Sequence, residues 1–307
     1  MKVTIKPYTN LEHDEVIKCL QRNFDWMKTR SIKELDYWMN PLWNYNWKNS
    51  NLDSAYKHGA VVLNEKNEVV GYLGFIFTLR YSKNKSYKYL SPSYWAIDEG
   101  YRFYLFQILK KIFNEVDVVG DFTPIPSVEK VLKTIFKFNT VSTVLYQFLP
   151  IPYVLKKHVI FSKCGENDLS TFEKCELQDH EQYNVKSIKV IDIYKNTSMI
   201  IFYKVFNARI KKRLPVRCIQ ILKIIGANLL VLYTHEIVWK MQKLEKALLQ
   251  CDSIFFNGQE CIDPFKRNKT VPRQFLNKKN KELGIQPDFL YSELAMLNDN
   301  SGKHYLL

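Results

Sequence analysis

At residues 93–113 the sequence SYWAIDEGYRFYLFQILKKIF joins a strand-like run directly to a helix-like run. An apolar run at 94–97 is typical of a buried strand, and it stops at the acidic turn Asp98-Glu99-Gly100. Apolar residues at helical spacing follow almost at once. A strand that leads directly into a helix favours a crossover to a parallel neighbouring strand, so an α/β domain is predicted here.

The rest of the first half predicts further strands and helices around this junction. Alternating or continuous apolar runs predict strands at 3–5, 59–64, 69–81, 87–97, 117–122 and 146–151. Helical spacing predicts helices at 11–24, 104–114 and 128–136, the last capped by Ser127. The short polar link at 65–68 predicts a hairpin, and the two strand-to-helix crossovers predict parallel neighbours at the centre of the sheet.

The second half repeats part of this order after a polar connection at 165–185. A hairpin at 187–206, a strand at 216–225, a helix at 232–250 and a strand at 251–257 match the middle of the first half. We interpret this as an internal structural duplication. The predicted fold class is α/β, a mixed sheet with flanking helices, divided into domains at 1–160 and 161–307.

Composition limits the classes of function. The 307 residues carry a net charge of +14, which favours anionic partners, and 46% of them are hydrophobic, which excludes a disordered chain. No apolar run reaches the ~20 residues needed to span a membrane, and the N-terminus does not resemble a signal peptide. The six scattered cysteines predict reduced thiols in a cytoplasmic protein, and no spacing predicts a metal site.

An unusually aromatic stretch at 26–47 carries four tryptophans and an Asn40-Pro41 turn signal. Polar, loop-like sequence around the tryptophans suggests a wall that stacks on a flat ligand rather than core packing alone. The predicted substrate-binding residues are Trp38, Asn40, Trp43 and Trp47.

The stretch at 93–113 resembles the acyl-CoA-binding segment of the GNAT superfamily of N-acyltransferases. In that family a strand ends in an apolar-Asp-Pro-Glu-Tyr-Arg turn before a helix, and Asp98, Glu99, Tyr101 and Arg102 fit the entry. The family's small loop residues are replaced here by Phe103 and Leu105. WMNPLW at 38–43 resembles a feature with tryptophan shortly before Asn-Pro in GNAT-like sugar N-acyltransferases from bacterial surface-polysaccharide gene clusters. The resemblance covers residues 1–150 well and 185–260 only by element order.

The resemblance implies that coenzyme phosphates lie at the start of the helix, on amides of residues 102–106 and the Arg102 guanidinium. Backbone groups of the strand end would bind the thioester. The predicted cofactor-binding residues are Trp95, Ala96, Ile97, Arg102, Phe103, Tyr104, Leu105, Phe106 and Thr123. Acetyl-CoA or another acyl-CoA is the expected co-substrate, without a metal.

Direct attack of an amine on a thioester calls for a base near the amine and hydroxyls near the leaving thiolate. The predicted catalytic residues are His58, Ser93, Asp98 and Glu99, and the sequence does not rank them. Helix-terminal electrostatics and turn chemistry explain the same acidic and hydroxyl residues equally well.

Basicity, the aromatic stretch and the resemblance together suggest a dTDP- or UDP-linked amino sugar as acceptor. The second domain would be a degenerate GNAT-like copy that forms an acceptor wall or a surface for a homodimer. Two alternatives stay open. One is an aminoacyl-tRNA-dependent transferase on paired GNAT-like domains, with the basic stretch 266–281 on RNA; the other is a non-catalytic binding protein. No recognition-helix motif indicates DNA binding.

Overall fold

We describe residues 2–82, 85–150, 157–210, 214–259, 261, 266–278, 285 and 287–297 of a computed structural model of the protein. The described chain forms two compact units, and each combines segments that are distant in sequence. The first unit contains Met1–Asp121, Phe275–Gln286 and Tyr291–Leu297, and the second contains Phe122–Gln274, Pro287–Leu290 and Asn298–Leu307. This division falls after Asp121, about forty residues before the end of the predicted first domain at residue 160.

The first unit is a mixed sheet with flanking helices. Its elements are β1 (Thr4–Pro7), α1 (His13–Asn23), α2 (Ile32–Trp43), β2 (Ala60–Leu63), β3 (Val69–Ser82), β4 (Lys85–Ile97), α3 (Arg102–Asn114) and β5 (Val118–Asp121). Strands β1 to β4 pair antiparallel in chain order, whereas β4 and β5 pair parallel. The predicted hairpin and the predicted crossover through α3 are therefore confirmed.

The second unit repeats the same strand order. Its elements are α4 (Pro126–Thr134), β6 (Asn139–Phe148), β7 (Val159–Ser162), α5 (Thr171–His180), β8 (Val185–Asp192), β9 (Ser198–Ile210), β10 (Leu214–Gly226), α6 (Leu229–Leu232), α7 (Thr234–Glu245), β11 (Leu248–Asp252) and most of β12 (Lys266–Asn277). A short helix α8 (Glu293–Met296) returns to the first unit. Strands β7 to β10 pair antiparallel and β10 pairs parallel with β11, so the duplication extends over five strands.

The second predicted crossover does not end in a parallel pair within its unit. After α4, strand β6 pairs antiparallel with β11, with Gln147 opposite Gln250. Because β11 comes from the other half of the sequence, local spacing gave no sign of this pairing. Strand β11 also begins at Leu248, inside the predicted helix, and a 3₁₀ turn at Ser253–Phe256 replaces the predicted end of the strand.

Residues 32–43 form a helix rather than the predicted loop and turn. Ser31 caps it, accepting a hydrogen bond from the Glu34 amide while the Glu34 carboxylate accepts one from the Ser31 amide. Pro41 lies in the last turn, where only two residues follow it in the helix. A proline inside a helix removes one amide donor and so lowers helix stability. The Ser31–Glu34 cap at the other end of α2 offsets part of that loss. Helix α4 begins at Pro126, so its N-cap residue is Ile125 and not the predicted Ser127.

Candidate active site

Strand β4 leaves its parallel neighbour well before its own end. The described β4–β5 ladder holds two pairs, Tyr89–Val118 and Leu90–Val119, whereas β4 continues to Ile97. The register between β3 and β4 also shifts, since Ser93 and Tyr94 together oppose the single residue Gly74. A bulge bends a strand and increases its twist. The strand end that the sequence assigned to the thioester, at 95–97, therefore lies beyond the described β4–β5 ladder.

The helical segment after β4 begins with a 3₁₀ turn at Glu99–Tyr101 and continues into α3. The Arg102 amide donates to the Glu99 carbonyl and the Tyr101 amide donates to the Asp98 carbonyl. The predicted donor set at 102–106 is therefore corrected at residue 102, whose amide is used inside the turn. The first amides of a helical segment have no partner inside the helix. In this segment those first amides belong to Glu99 and Gly100.

Two side chains at the start of α3 extend into solvent. The Arg102 side chain is 64% exposed, and its Nη1 lies 3.8 Å from Oε1 of Glu99, whose side chain is 88% exposed. Such an exposed pair contributes little, roughly 0–1 kcal/mol, so Arg102 can exchange it for an anionic ligand. Phe103 is 70% exposed and meets Tyr104 edge to face. Both Arg102 and Phe103 are accessible for ligand contact.

The Asp98 side chain connects the end of β4 to the end of α1 by hydrogen bonds. Its two carboxylate oxygens accept hydrogen bonds from Arg22 Nη2 at 3.0 Å and Asn23 Nδ2 at 2.9 Å. A carboxylate with two such donors holds a helix end in place. This geometry supports a positioning role for Asp98 more than the role of a base.

Ser93 lies at the bulge in close contact with Gly74. A Cβ on Gly74 would lie 2.1 Å from the Ser93 Oγ and 3.2 Å from the Tyr72 hydroxyl. The Tyr72 hydroxyl in turn accepts from Trp43 Nε1 at 2.9 Å and donates to the His58 carbonyl at 2.8 Å. Gly74 is thus required because it leaves space for a hydroxyl at the bulge.

His58 is half-buried and held in one orientation. Its ring makes a hydrogen bond to the Leu42 backbone and meets the Tyr45 ring edge to face at 4.8 Å. Burial, together with the nearby charge of Lys57, lowers the pKa of His58 to about 4. The imidazole is therefore neutral at pH 7, and its buried Nδ1 has no hydrogen-bond partner among the described residues. A ring with so low a pKa serves better as a hydrogen-bond acceptor than as a strong base.

The predicted aromatic wall divides between the core and the surface. Trp43 is 2% exposed and Trp47 is 1% exposed, and the Trp47 Nε1 donates to the Phe77 carbonyl. Because protein atoms cover both of these rings, we assign them to the core rather than to ligand stacking. Trp38 is only partly buried, and exposed Asn40 accepts a hydrogen bond from Asn44 at the end of α2.

An aromatic platform missed by the sequence prediction surrounds Trp38. We define it as Phe24, Trp26, Arg30, Trp38 and Tyr94. Trp26 stacks on Trp38 at 6.1 Å, and the Arg30 guanidinium lies 3.8 Å from the centre of the Trp38 ring. Tyr94, at the β4 bulge, meets Phe24 edge to face and lies 6.3 Å from Trp26. Tyr94 lies within the quoted stretch, but only tertiary structure shows that it meets rings from the end of α1.

The other predicted cofactor residues differ in accessibility. Ala96 and Ile97 are buried in β4, where their backbone rather than their side chains would meet a ligand. Tyr104, Leu105 and Phe106 are half-buried on the first turns of α3. Thr123 belongs to the second compact unit, so its role at the site of the first unit stays a prediction.

The equivalent junction of the second unit is built differently. Strand β10 carries a bulge at Leu222, as β4 does at Ser93 and Tyr94. The Leu222 carbonyl accepts a hydrogen bond from the Phe289 amide at 2.9 Å. The Phe289 ring is fully buried against Phe122 and Phe255. The chain therefore fills this bulge with its own backbone and an aromatic ring.

The predicted RNA-binding stretch is not uniformly exposed. Within 266–278, Arg273 is 1% exposed and its Nε donates to the buried carboxylate of Asp252 at 2.8 Å. Lys279 and Lys281 lie outside the described residues. Among those described, no helix is long and apolar enough to cross a membrane. No group of three potential ligands is arranged to hold a metal ion in that same part of the chain.

Comparison with known proteins identifies the fold. No family model matches the chain, and no curated protein matches it. A GCN5-related N-acetyltransferase from Anabaena variabilis superimposes with a TM-score of 0.51 at 8% identity, covering 90% of this chain and 73% of its own. A putative acetyltransferase from Pyrococcus horikoshii gives 0.50 at 11% identity, covering 97% and 93%. The protein therefore has the fold of the GCN5-related N-acetyltransferases.

Proposed function

We propose that this protein is an acyl-CoA-dependent N-acyltransferase whose coenzyme site lies at the β4–α3 junction of the first unit. The observation that carries the proposal is the strand end at Ser93–Ile97, which is bulged, extends beyond the ladder with β5 and is followed directly by a helical start. The fold and the accessible Arg102 support it, because an anion is stabilised by helix-terminal amides and a guanidinium.

The reaction would be direct attack of an acceptor amine on the thioester carbon, with coenzyme A thiolate as the leaving group. Backbone amides at the bulged end of β4 would stabilise the developing oxyanion. Ser93, beside Gly74 at the bulge, would offer a hydroxyl to the departing sulfur. His58 would accept a hydrogen bond from the amine rather than carry its proton at neutral pH, since its pKa is so low.

The aromatic platform supports a flat, anionic acceptor. Trp26 and Trp38 offer stacking surface, and Arg30 places a guanidinium against Trp38. A nucleotide-linked amino sugar presents a base to stack, a diphosphate for the guanidinium and an amine to acylate. We therefore propose a dTDP- or UDP-linked amino sugar as the acceptor.

A thiol-release assay with acetyl-CoA against a panel of dTDP- and UDP-linked amino sugars tests this function. The expected result is acceptor-dependent release of coenzyme A, with a raised KM for the sugar nucleotide in Trp38→Ala. Trp38→Ala should leave the Kd for acetyl-CoA unchanged. Release with simple amines but with no sugar nucleotide would contradict the acceptor, and failure to bind acetyl-CoA would contradict the function.

A further inference from the structure

The indole of Trp95 carries a buried donor without an internal acceptor. Its Nε1 is shielded from solvent and has no hydrogen-bond partner within the described part of the chain. The two fully buried tryptophans of the same unit differ, since Trp43 Nε1 donates to the Tyr72 hydroxyl and Trp47 Nε1 donates to the Phe77 carbonyl. Buried indole N–H groups usually find a partner, and leaving one unpaired is costly.

Trp95 lies where β4 has left β5. The described ladder ends at Leu90–Val119, and Trp95 is five residues further along β4. Since a strand rises about 3.3 Å per residue, this places Trp95 roughly 16 Å beyond the ladder. Tyr94 turns toward Phe24 and Trp26, so alternation puts Trp95 on the opposite face. The acceptor platform and the unpaired donor therefore lie on the two faces of one strand end.

We propose that the Trp95 Nε1–H donates a hydrogen bond to a carbonyl oxygen of the bound acyl-CoA. This inference rests on the proposed function and names the group that recognises the thioester arm. The arm offers such oxygens in its amides and, when acylated, in the thioester itself. A carbonyl provides the acceptor that the described residues do not supply to this N–H, so the donor becomes paired when the coenzyme is bound. Trp95 is thus a binding residue through its side chain, in addition to its backbone.

Trp95→Phe removes the donor and keeps an aromatic ring. Because the wild-type donor is unpaired without ligand, this variant should melt at the wild-type temperature or a few degrees higher. Its Kd for acetyl-CoA, measured by titration calorimetry, should rise about three- to tenfold. Trp95→His, which retains a ring N–H, should recover part of the affinity and keeps the test valid if the Phe variant folds poorly.

Trp47→Phe is the matched control, because its N–H is already paired inside the protein. This variant should melt at a lower temperature and bind acetyl-CoA with unchanged Kd. Titration with coenzyme A, which has no thioester, separates the two sources of the carbonyl. Equal weakening by Trp95→Phe for coenzyme A and acetyl-CoA assigns an amide of the arm, and weakening for acetyl-CoA alone assigns the thioester.

Two results would overturn the proposal about Trp95, and only one of them would also overturn the proposed function. If wild-type protein binds acetyl-CoA and Trp95→Phe binds it with the same Kd, the inference about Trp95 fails and the proposed function stands. If folded wild-type protein binds neither coenzyme A nor acetyl-CoA, the inference and the proposed function fail together.

Discussion

The equivalent junctions β4–α3 and β10–α6 occupy the same place in the strand order of their units but differ in what contacts the strand bulge. In the first unit, bulged β4 extends beyond its ladder with β5 and leads to an exposed helical start with Arg102 and Phe103 in solvent. In the second unit, bulged β10 is bonded by the Phe289 amide and leads to α6, whose Leu229 and Leu230 are buried. The bulge of β10 is thus covered by a distant segment of the chain, and we propose that the bulged end of β4 is kept for a ligand.

Replacing a phenylalanine by alanine should change the free energy of unfolding much more at the β10 junction than at the β4 junction. Phe289→Ala should lower the free energy of unfolding by about 3–5 kcal/mol, because it empties space between Phe122 and Phe255. Phe103→Ala should change it by no more than about 0.5 kcal/mol, since that ring is 70% exposed. Urea unfolding of both variants measures this contrast. Equal losses would show that the first junction is as closed as the second.

Acid should weaken the first unit through His58. The folded pKa of about 4 lies below the ordinary value of 6.5, so the unfolded chain binds the proton more readily between these values. Stability is therefore fully present above pH 6.5 and falls toward pH 4, by an amount on the order of 1–2 kcal/mol once solvent screening of this half-buried ring is allowed for. His58→Gln should flatten this part of the pH–stability curve. An unchanged slope in the variant would exclude His58 as the cause.

A methyl group at Gly74 should disturb the β4 bulge. Gly74→Ala places a carbon 2.1 Å from the present position of the Ser93 Oγ, which should cost about 1–3 kcal/mol of stability. Adding Ser93→Ala removes the clashing oxygen and should restore much of that loss. Thermal melts of the two single variants and the double variant form a mutant cycle. Additive effects would mean that Ser93 and Gly74 are not in contact.

The smallest effect concerns coenzyme affinity alone. Arg102→Ala should raise the Kd for acetyl-CoA about three- to thirtyfold at low salt, because one charge-assisted contact to phosphate is removed. The difference should shrink as salt is added, since exposed charges are screened. Lys110→Ala is a matched control on the exposed side of α3 and should leave the Kd unchanged. A Kd in Arg102→Ala equal to that of wild type would place the phosphates elsewhere.

Much of the fold follows from local patterns. The β2–β3 hairpin, the crossover through α3 and the repeated order of the second half all come from apolar periodicity and turn residues. The helix at 32–43 was not predicted, because Pro41 and the polar residues around it favoured a loop despite the Ser31–Glu34 capping box. The antiparallel partner of β6 was also hidden, since β11 lies about a hundred residues away and pairing over that distance leaves no local signal.

The candidate site was predictable as a segment but not as a set of side chains. The strand-turn-helix stretch placed Arg102, Phe103 and Trp95 together because they are close in sequence. Trp43 and Trp47 instead lie in the core. The sequence did not indicate this, because a buried tryptophan and a ligand-stacking tryptophan look alike in sequence. The platform formed by Trp26, Trp38 and Tyr94 depends on a contact between α1's end and the β4 bulge, which only tertiary packing creates.

A crystal structure with bound coenzyme A would show directly where the ligand lies. We expect one coenzyme per chain, with its phosphates at the helical start that follows Asp98 and its arm along β4 beyond Leu90. The junction at β10 should retain the Phe289 amide on the Leu222 carbonyl. Coenzyme bound at the β10 junction, or away from both strand ends, would contradict the account.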